Sequence, residues 1–210
     1  MIKKTIVYLV AILIFSTCSN VLNPSATKIV TNEPTLKDYK IGEKWTFKHK
    51  ITTTESLIPR EGETSEEVIE FKGGLAFLNR NNGISDTIQI SSGLDNKKGR
   101  TPFRDWPLKV GKKWKYDVKW ADDNMSGHKK QDVEVISFEE VIVDAGKFMA
   151  YKIEYKGKMT NSWGYDGALN DTYWYAPAIN KNIKVITSSY NFIGEGSTFT
   201  KELIKYSKPH

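Results

Sequence analysis

Few side chains in this sequence of 210 residues could take part in covalent or metal chemistry. Cys18, in the stretch FSTCSN, is the only cysteine, and the histidines are His49, His128 and His210. Zinc sites draw on clustered cysteines and histidines at characteristic spacings, which this set lacks. The sequence therefore predicts neither a metal site nor a catalytic or redox cysteine.

Other motifs also lack the spacing of known catalytic or ligand sites. DGALND (166–171) brings acidic and amide oxygens together, but without the D-x-[DN]-x-[DN]-G pattern of a calcium loop, and it is interpreted as a turn. The serines of SSGLD and GEGS have no base that the sequence can locate, and no G-x-S-x-G, P-loop or H-E-x-x-H motif occurs. We therefore expect a protein that is not an enzyme and holds no cofactor.

The position of Cys18 predicts a different kind of chemistry. Lys3 and Lys4 precede the apolar run TIVYLVAILIF (5–15), and small polar residues follow it. A basic start, a short apolar core and a small-residue end indicate a secretory signal. The run is shorter than the about 20 apolar residues of a membrane-spanning helix.

A cysteine at the end of such a run resembles the lipobox of bacterial lipoproteins, whose cysteine thiol carries acyl chains such as palmitate. The resemblance implies a signal peptide over 1–17, lipidation of Cys18, and an exported protein anchored to the cell membrane or outer membrane. Ser16 matches the usual Ala or Ser, but Phe15 and Thr17 depart from the usual Leu and the usual Gly or Ala. Two alternatives therefore stay open: cleavage after Cys18 by ordinary signal peptidase, and an uncleaved anchor.

Charge and composition limit the class of partner. The chain has 31 basic and 25 acidic residues, and loss of Lys3 and Lys4 leaves 29 against 25, a net charge of +4. Acidic and basic clusters alternate, which favours a solvated surface over a nucleic-acid interface. Residues 18–35 are rich in Ser, Asn, Thr and Pro and are predicted to form a flexible tether. Residues 36–210 are predicted to form a single domain.

The fold class follows from the aromatic residues, most of which lie in segments where apolar and polar residues alternate. Six Trp, ten Tyr and nine Phe favour strands, and no window after the signal has the apolar spacing of a helix. We predict an all-β, antiparallel sheet that forms a sandwich or a curved half-barrel. The predicted strands lie near 44–54, 66–78 with a break at Gly73 and Gly74, 86–92, 112–120, 131–143, 147–158, 170–176, 182–190 and 198–206.

A weak internal repeat relates the two halves of the chain. YKIGEKWTFKHK (39–50) aligns with LKVGKKWKYDVK (108–119), which matches Trp45 with Trp114 after a glycine turn. Alternation places Phe47 beside Trp45, and Tyr116 beside Trp114, so that both tryptophans are predicted core anchors. Two explanations stay open, namely two sheet halves that begin alike and a recurring way to start a strand.

Three segments of the second half resemble a broad group of uncharacterised exported bacterial proteins. They are PLKVGKKWKY (107–116), VIVDAGKFMAYKIEY (141–155) and DTYWYAPAINKNIKVI (171–186), which contain a G-x-x-W turn, a V-x-A-G-x-F-x-x-x-K-I corner and a W-Y-A-P strand end. Asp144 stands where a proline is common. The resemblance covers about residues 101–190 and implies a curved antiparallel sheet and an exported location, without an activity.

These motifs have a structural interpretation and a functional one. Ala145 and Gly146 are predicted to make a tight corner, and Pro177 to end a strand, because proline cannot donate to a ladder. The alternative is that Trp174 and Tyr175 line a ligand groove.

Two functions remain open for the whole chain. The first is a lipid-anchored binding module for an apolar or amphipathic ligand, such as lipid or an envelope precursor. The second is a structural or protein-interaction component of the envelope with a filled core. Aromatic faces that close on each other favour the second function, and a cavity favours the first.

Overall fold

The computed structural model describes residues 30–80, 85–89, 101–191 and 193–209. Cys18, the signal peptide and His210 lie outside these residues. Short 3-10 turns occupy Leu36–Asp38 and Pro177–Ile179. The strands are β1 (Lys44–Thr53), β2 (Ser56–Lys72), β3 (Leu75–Arg80), β4 (Ser85–Gln89), β5 (Lys113–Ala121), β6 (Ser126–Val143), β7 (Gly146–Asn161), β8 (Asp166–Ala176), β9 (Lys181–Asn191) and β10 (Gly196–Ser207).

All ten strands form one antiparallel sheet in the order β4-β3-β2-β1-β10-β9-β8-β7-β6-β5. The sheet does not close, because its edge strands β4 and β5 do not pair with each other in the described part of the chain. No helix of that part is long and apolar enough to cross a bilayer. The prediction of an all-β antiparallel sheet is confirmed.

The end of the β6–β7 hairpin shows that the sheet curls. The amide of Ala145 donates to the carbonyl of Leu203 in β10 at 3.4 Å, and Asp144 forms an ion pair with Lys48 in β1 at 2.8 Å. Strands β8 and β9 separate this hairpin from β10 in the sheet order. A flat sheet would keep these groups apart, so the contacts describe a curved, half-barrel arrangement.

Alternation along the strands gives the sheet two faces. One face, called the apolar face, carries Trp45, Phe47, Leu203, Val185, Tyr173, Ile153, Val133 and Trp114. The other, called the charged face, carries paired side chains, which include Lys44–Glu67, Lys50–Glu61, Lys48–Glu202, Lys184–Glu202, Lys156–Glu154 and Lys113–Glu134. Charges of opposite sign thus neighbour each other along the charged face.

The repeat seen in the sequence is also a repeat of backbone geometry. Gly42 and Gly111 have positive φ angles of 82° and 83°, a conformation that favours glycine. Their amides donate to Val68 at 2.7 Å and to Val135 at 2.8 Å, and each turn closes with a backbone hydrogen bond of 3.0 Å. The first explanation of the repeat, two sheet halves that begin alike, therefore describes the structure.

The equivalence continues into the next strand of each half. EVIEF (67–71) in β2 and EVISF (134–138) in β6 both contain a β-bulge directly after the valine, and the bulged Ile69 and Ile136 are both exposed. We call residues 39–80 unit 1, with β1, β2 and β3, and residues 108–161 unit 2, with β5, β6 and β7. The three strands follow the same order within both units.

Three local predictions are wrong. DGALND lies in strand β8, not in a turn, because β7 and β9 pair with it on both sides and Gly167 permits close packing against the carbonyl of Tyr190. Strand β6 begins at Ser126, five residues before the predicted strand 131–143, and therefore includes His128. Residues 56–65, which show no apolar alternation, form the first half of β2, because their glutamates pair with lysines of β1.

The predicted corner and strand end are confirmed. Gly146, with a φ angle of 127°, begins β7, and only Asp144 and Ala145 separate it from the end of β6. Strand β8 ends at Ala176, and Pro177 begins the following 3-10 turn. Gly146 therefore forms the corner, and Pro177 ends the strand, at the positions that the sequence predicts.

The end of the predicted tether contacts the domain. Thr31 and Leu108 exchange two backbone hydrogen bonds of 3.0 and 2.8 Å, and the Thr31 hydroxyl donates to the Tyr151 hydroxyl at 3.2 Å. The chain is thus held on unit 2 from Thr31 onward.

Candidate functional site

The aromatic part of the apolar face is filled by the chain itself. Phe103 lies in the segment 101–110, which precedes β5, and its ring stacks on Tyr155 with 5.1 Å between ring centroids. The same ring makes edge contacts with Tyr116 at 5.5 Å and Tyr173 at 5.3 Å. The Tyr155 hydroxyl donates to the Phe103 carbonyl at 2.5 Å. Phe103 therefore occupies the space in which an aromatic ligand cage would hold its guest.

The same segment covers Tyr175. The Arg104 guanidinium lies 4.2 Å from the centroid of the Tyr175 ring, and Trp106 makes an edge contact with that ring at 5.6 Å. Burial raises the pKa of Tyr175 to about 12, although the charge of Arg104 acts in the opposite direction. Tyr175 is a neutral, filled-core residue at physiological pH, with 1% of its surface exposed.

Trp174 lies on the opposite face from Tyr175. Its indole N–H donates to Glu139 at 3.0 Å, and the ammonium groups of Lys152 and Lys184 lie 5.8 and 5.7 Å from its ring. The alternative that Trp174 and Tyr175 line one groove is therefore wrong.

A glutamate of unit 1 and lysines of β9 and β10 form a buried ion cluster on the apolar face, which sequence analysis missed. Glu66, in β2, has 6% of its surface exposed. Its carboxylate accepts hydrogen bonds from Lys181 at 2.8 Å and Lys201 at 3.1 Å. The two ammonium groups also lie over aromatic rings, Lys181 over Trp45 at 4.5 Å and Lys201 over Phe47 at 4.0 Å. Each ammonium is thus held between a carboxylate and a ring face.

Opposing effects set the charge state of this cluster. Burial alone would raise the pKa of Glu66, but the charges and hydrogen bonds of Lys181 and Lys201 outweigh it and lower the pKa to about 2. Burial lowers the pKa of Lys181, against the attraction of Glu66. Glu66 is consequently ionised at all physiological pH values, and it compensates the buried positive charge.

A second buried polar group lies in the middle of the apolar face. Asp171, in β8, accepts hydrogen bonds from Gln131 at 2.7 Å and from the Thr187 hydroxyl at 2.6 Å. Gln131 also donates to the carbonyl of Leu169 at 3.1 Å. The carboxylate thus accepts hydrogen bonds from neutral donors of β6 and β9. Buried polar groups are usually hydrogen-bonded in this way.

The two described histidines have separate surroundings. His128 Nε2 lies 2.6 Å from Asp117 Oδ1 on the edge strand β5, and this hydrogen bond lowers the pKa of Asp117. The His49 ring lies over Gly62, where a Cβ atom would come within 2.8 Å of it. No group of three His, Cys, Asp or Glu side chains in the described residues is arranged to hold a metal ion.

Shallow grooves run across the sheet between rows of charged side chains. One of about 590 Å³ is lined mainly by Lys48, Lys50, Glu61, Glu63, Lys184 and Glu202. Another of about 520 Å³ is lined mainly by Lys113, Lys115, Asp132, Glu134, Glu154 and Lys156. Their volumes fall in the range of ligand pockets, and most of the charged side chains along them form ion pairs with one another.

No family model and no curated protein matches the chain. Among solved structures, the chain is similar to a predicted exported protein with a YmcC-like fold from Bacteroides fragilis, with 13% identity and a TM-score of 0.42 over 86% of this chain and 100% of that one. It is also similar to a predicted lipoprotein from Parabacteroides distasonis, with 11% identity and a TM-score of 0.46 over 81% and 98%. A third is the hypothetical lipoprotein YmcC from Escherichia coli, with 10% identity and a TM-score of 0.39 over 79% and 85%. All three are described as exported proteins or lipoproteins.

Proposed function

We propose that the chain is an exported, non-enzymatic protein of the bacterial cell envelope, held at a membrane by lipid on Cys18. Its role is that of a structural or protein-interaction component with a filled core. The signal-like start and the single cysteine at its end support the anchor. Lipid on that cysteine would provide stable attachment without a spanning helix.

The observation that carries the interaction role is the insertion of Phe103. Its ring contacts Tyr116, Tyr155 and Tyr173 at 5.1 to 5.5 Å. These aromatic side chains pack against one another inside the protein. Contact with other molecules is therefore left to the outer surface of the protein. The buried carboxylates of Glu66 and Asp171 are likewise satisfied within the protein, which supports a structural role for both.

A second candidate, an apolar or amphipathic ligand, is favoured by another part of the apolar face. Ile51, Val118, Met159 and Phe199 lie there on four different strands and are only partly buried. A lipid chain could cover such side chains.

Native mass spectrometry of the full chain, extracted from membranes in mild detergent, tests both candidates. We expect the mass of the chain with covalent acyl groups on Cys18 and no bound lipid. The Cys18→Ser chain should lose the acyl mass and leave the detergent phase. A lipid that co-purifies with both chains in one-to-one ratio would overturn the filled-core proposal and favour the ligand.

The same material tests the anchor by itself. If wild-type protein and Cys18→Ser partition alike, and the mature wild-type chain begins after Cys18, the lipidation proposal is wrong.

A further inference from the structure

The charged face contains an area that carries no charges. It is formed by three ranges on neighbouring strands, namely 168–172 in β8, 186–190 in β9 and 196–200 in β10. Because side chains alternate along a strand, each range places three positions on this face. The strand register aligns them in three rows, Ala168–Tyr190–Gly196, Asn170–Ser188–Thr198 and Thr172–Ile186–Thr200. We call these nine residues the neutral grid.

Tyr190 gives the neutral grid an accessible aromatic ring. Its ring lies over Gly196, where an added Cβ atom would collide with it, and 45% of the residue is exposed. Ala168 stands opposite Tyr190 on the other side. The ring thus has only a glycine and an alanine beside it in its own row, so a ligand can reach it.

The next row of the neutral grid supplies hydrogen-bonding groups. Ser188 and Thr198 place their hydroxyl oxygens 3.4 Å apart. Asn170 is exposed, and its amide makes no hydrogen bond with any described residue. This row lies about 7 Å along the strands from Tyr190. Hydroxyl and amide groups both donate and accept hydrogen bonds.

Charged side chains border the neutral grid without entering it. On the β1 side, Lys50 is paired with Glu61 at 3.2 Å, and on the β7 side, Lys156 is paired with Glu154 at 2.6 Å. Lys158 stands opposite Ala168 and makes no ion pair within the described part of the chain. A single lysine is a poor footprint for an anionic polymer, which requires a concentrated basic surface. The charges therefore match an uncharged ligand best.

The size of the neutral grid suits a small ligand better than a protein. It spans about 10 Å across three strands and about 14 Å along them, or about 140 Å² between Cα positions. A stable protein interface takes about 800 Å² from each partner. The area is instead that of a few sugar rings.

We propose that the neutral grid binds an uncharged glycan, with one sugar ring stacked on Tyr190 and its hydroxyls hydrogen-bonded to Asn170, Ser188 and Thr198. The faces of a sugar ring carry C–H bonds that pack on an aromatic ring, and its hydroxyls require both donors and acceptors. An accessible ring beside a row of neutral polar groups meets both requirements. This site lies on the opposite face from the filled core, and it does not depend on the lipid anchor.

Oligosaccharide binding to the full chain, purified in a detergent without a sugar head group, tests this site. The probes are neutral oligosaccharides of glucose, galactose, mannose and N-acetylhexosamines, with sialylated and sulfated oligosaccharides as charged probes. Tyr190→Ala removes the ring, Tyr190→Phe keeps it, and Asn170→Ala removes the amide. Trp163→Ala is the matched control, because Trp163 is an aromatic residue with 74% exposure in the turn before β8.

We expect a neutral oligosaccharide to bind wild type and Tyr190→Phe alike. Its affinity should fall about fivefold or more in Tyr190→Ala, the usual effect of losing an aromatic contact. Asn170→Ala should also weaken binding, whereas Trp163→Ala should leave it unchanged. Binding should be the same at high salt, because no charge takes part.

Binding of charged probes only, or of no probe, would overturn the proposal. The same holds if Trp163→Ala weakens binding as much as Tyr190→Ala. Should Tyr190→Ala fail to fold, unchanged affinity in Asn170→Ala would reject the proposed contacts. The Cys18→Ser chain should bind the oligosaccharide as wild type does, so that a failure of the anchor and a failure of the glycan site are distinguishable.

Discussion

Units 1 and 2 have the same backbone arrangement of turn, strands and bulge, called the backbone plan, and differ in the side chains that form their cores. Both begin with a glycine turn, bond that turn to a valine, and place a bulge directly after the valine. Glu66 pairs with Trp45 in unit 1, and Val133 pairs with Trp114 at the equivalent position of unit 2. The partner of the tryptophan is thus a buried charge in one unit and an aliphatic side chain in the other.

That single difference accompanies two kinds of core. In unit 1 the glutamate brings Lys181 and Lys201 under the aromatic rings. In unit 2 the valine leaves room for an aromatic cluster that Phe103 completes. The backbone plan, set by glycine turns and bulges, does not dictate the side-chain chemistry of the core. Substitutions at the two tryptophans, at Glu66 and at the glycine turns test how far the two units are equivalent.

The largest expected effect distinguishes the two tryptophans. Trp45 is completely buried, and Trp45→Ala should lower the free energy of unfolding by about 3–5 kcal/mol, the usual cost of deleting a large buried ring. Trp114 is partly exposed, and Trp114→Ala should cost about 2 kcal/mol, including its hydrogen bond to Pro102. Urea unfolding of both variants measures the difference. Equal costs would show that the units are alike in energy despite their different cores.

The second prediction concerns Glu66, with its neighbour Glu67 as the matched control. Glu66→Gln leaves two lysines without their carboxylate in a buried site, and we expect a loss of about 3 kcal/mol or more. Glu67 lies on the charged face, where it pairs with Lys44 at 3.2 Å. Glu67→Gln should cost less than about 1 kcal/mol. Two similar urea midpoints would contradict the assignment of Glu66 as a buried structural ion.

A third prediction follows from the pKa of Glu66. The folded-state pKa of about 2 lies below the ordinary value of 4.5, so ionisation of Glu66 stabilises the fold above pH 4.5, and this contribution is lost as the pH falls toward 2. The contribution is at most about 3 kcal/mol. Burial lowers the pKa of Lys181, against the attraction of Glu66. Urea melts at several acidic pH values should show a shallower loss for Glu66→Gln than for wild type.

The smallest expected effect compares the two turns. Alanine at φ angles of 82° and 83° is strained, so Gly111→Ala should cost about 1 kcal/mol. Gly42→Ala should cost slightly more, because its new Cβ would lie 3.0 Å from Pro209. Thermal unfolding of the two variants checks this. A neutral substitution at either glycine would show that its turn relaxes, and that the backbone plan is looser than the shared geometry indicates.

Alternation and turn residues were enough to predict most strands, and the reasons for the exceptions are physical. The first half of β2 contains Pro59 and a run of charges, yet it forms a strand because Glu61 and Glu63 lie opposite Lys50 and Lys48. A residue pattern read in isolation does not contain such a partner. The repeat at Trp45 and Trp114 was visible because its glycine and tryptophan are identical in both copies.

The ion cluster was not predicted, because it joins residues far apart in the chain. Glu66 and Lys181 are 115 positions apart, and no motif contains both. The repeat EVIEF and EVISF offered the missing signal. When these two copies are aligned, Glu66 occupies the position of Val133. A charged residue at a position that is aliphatic in the other copy indicates a buried ion.

The two hydrogen bonds between Thr31 and Leu108 determine where mechanical load enters the domain. In a chain anchored through Cys18, any pull between the membrane and the body of the protein travels along the tether and arrives first at this bridge. Rupture of these bonds would pass the load along the chain through Leu36–Asp38 to β1, because the tether is continuous with this strand and not with β5. Strand β1 is hydrogen-bonded to β2 and β10 and carries Trp45, which pairs with Glu66. Under tension, the bridge to unit 2 should therefore yield first, and the load should then reach unit 1 and its ion cluster.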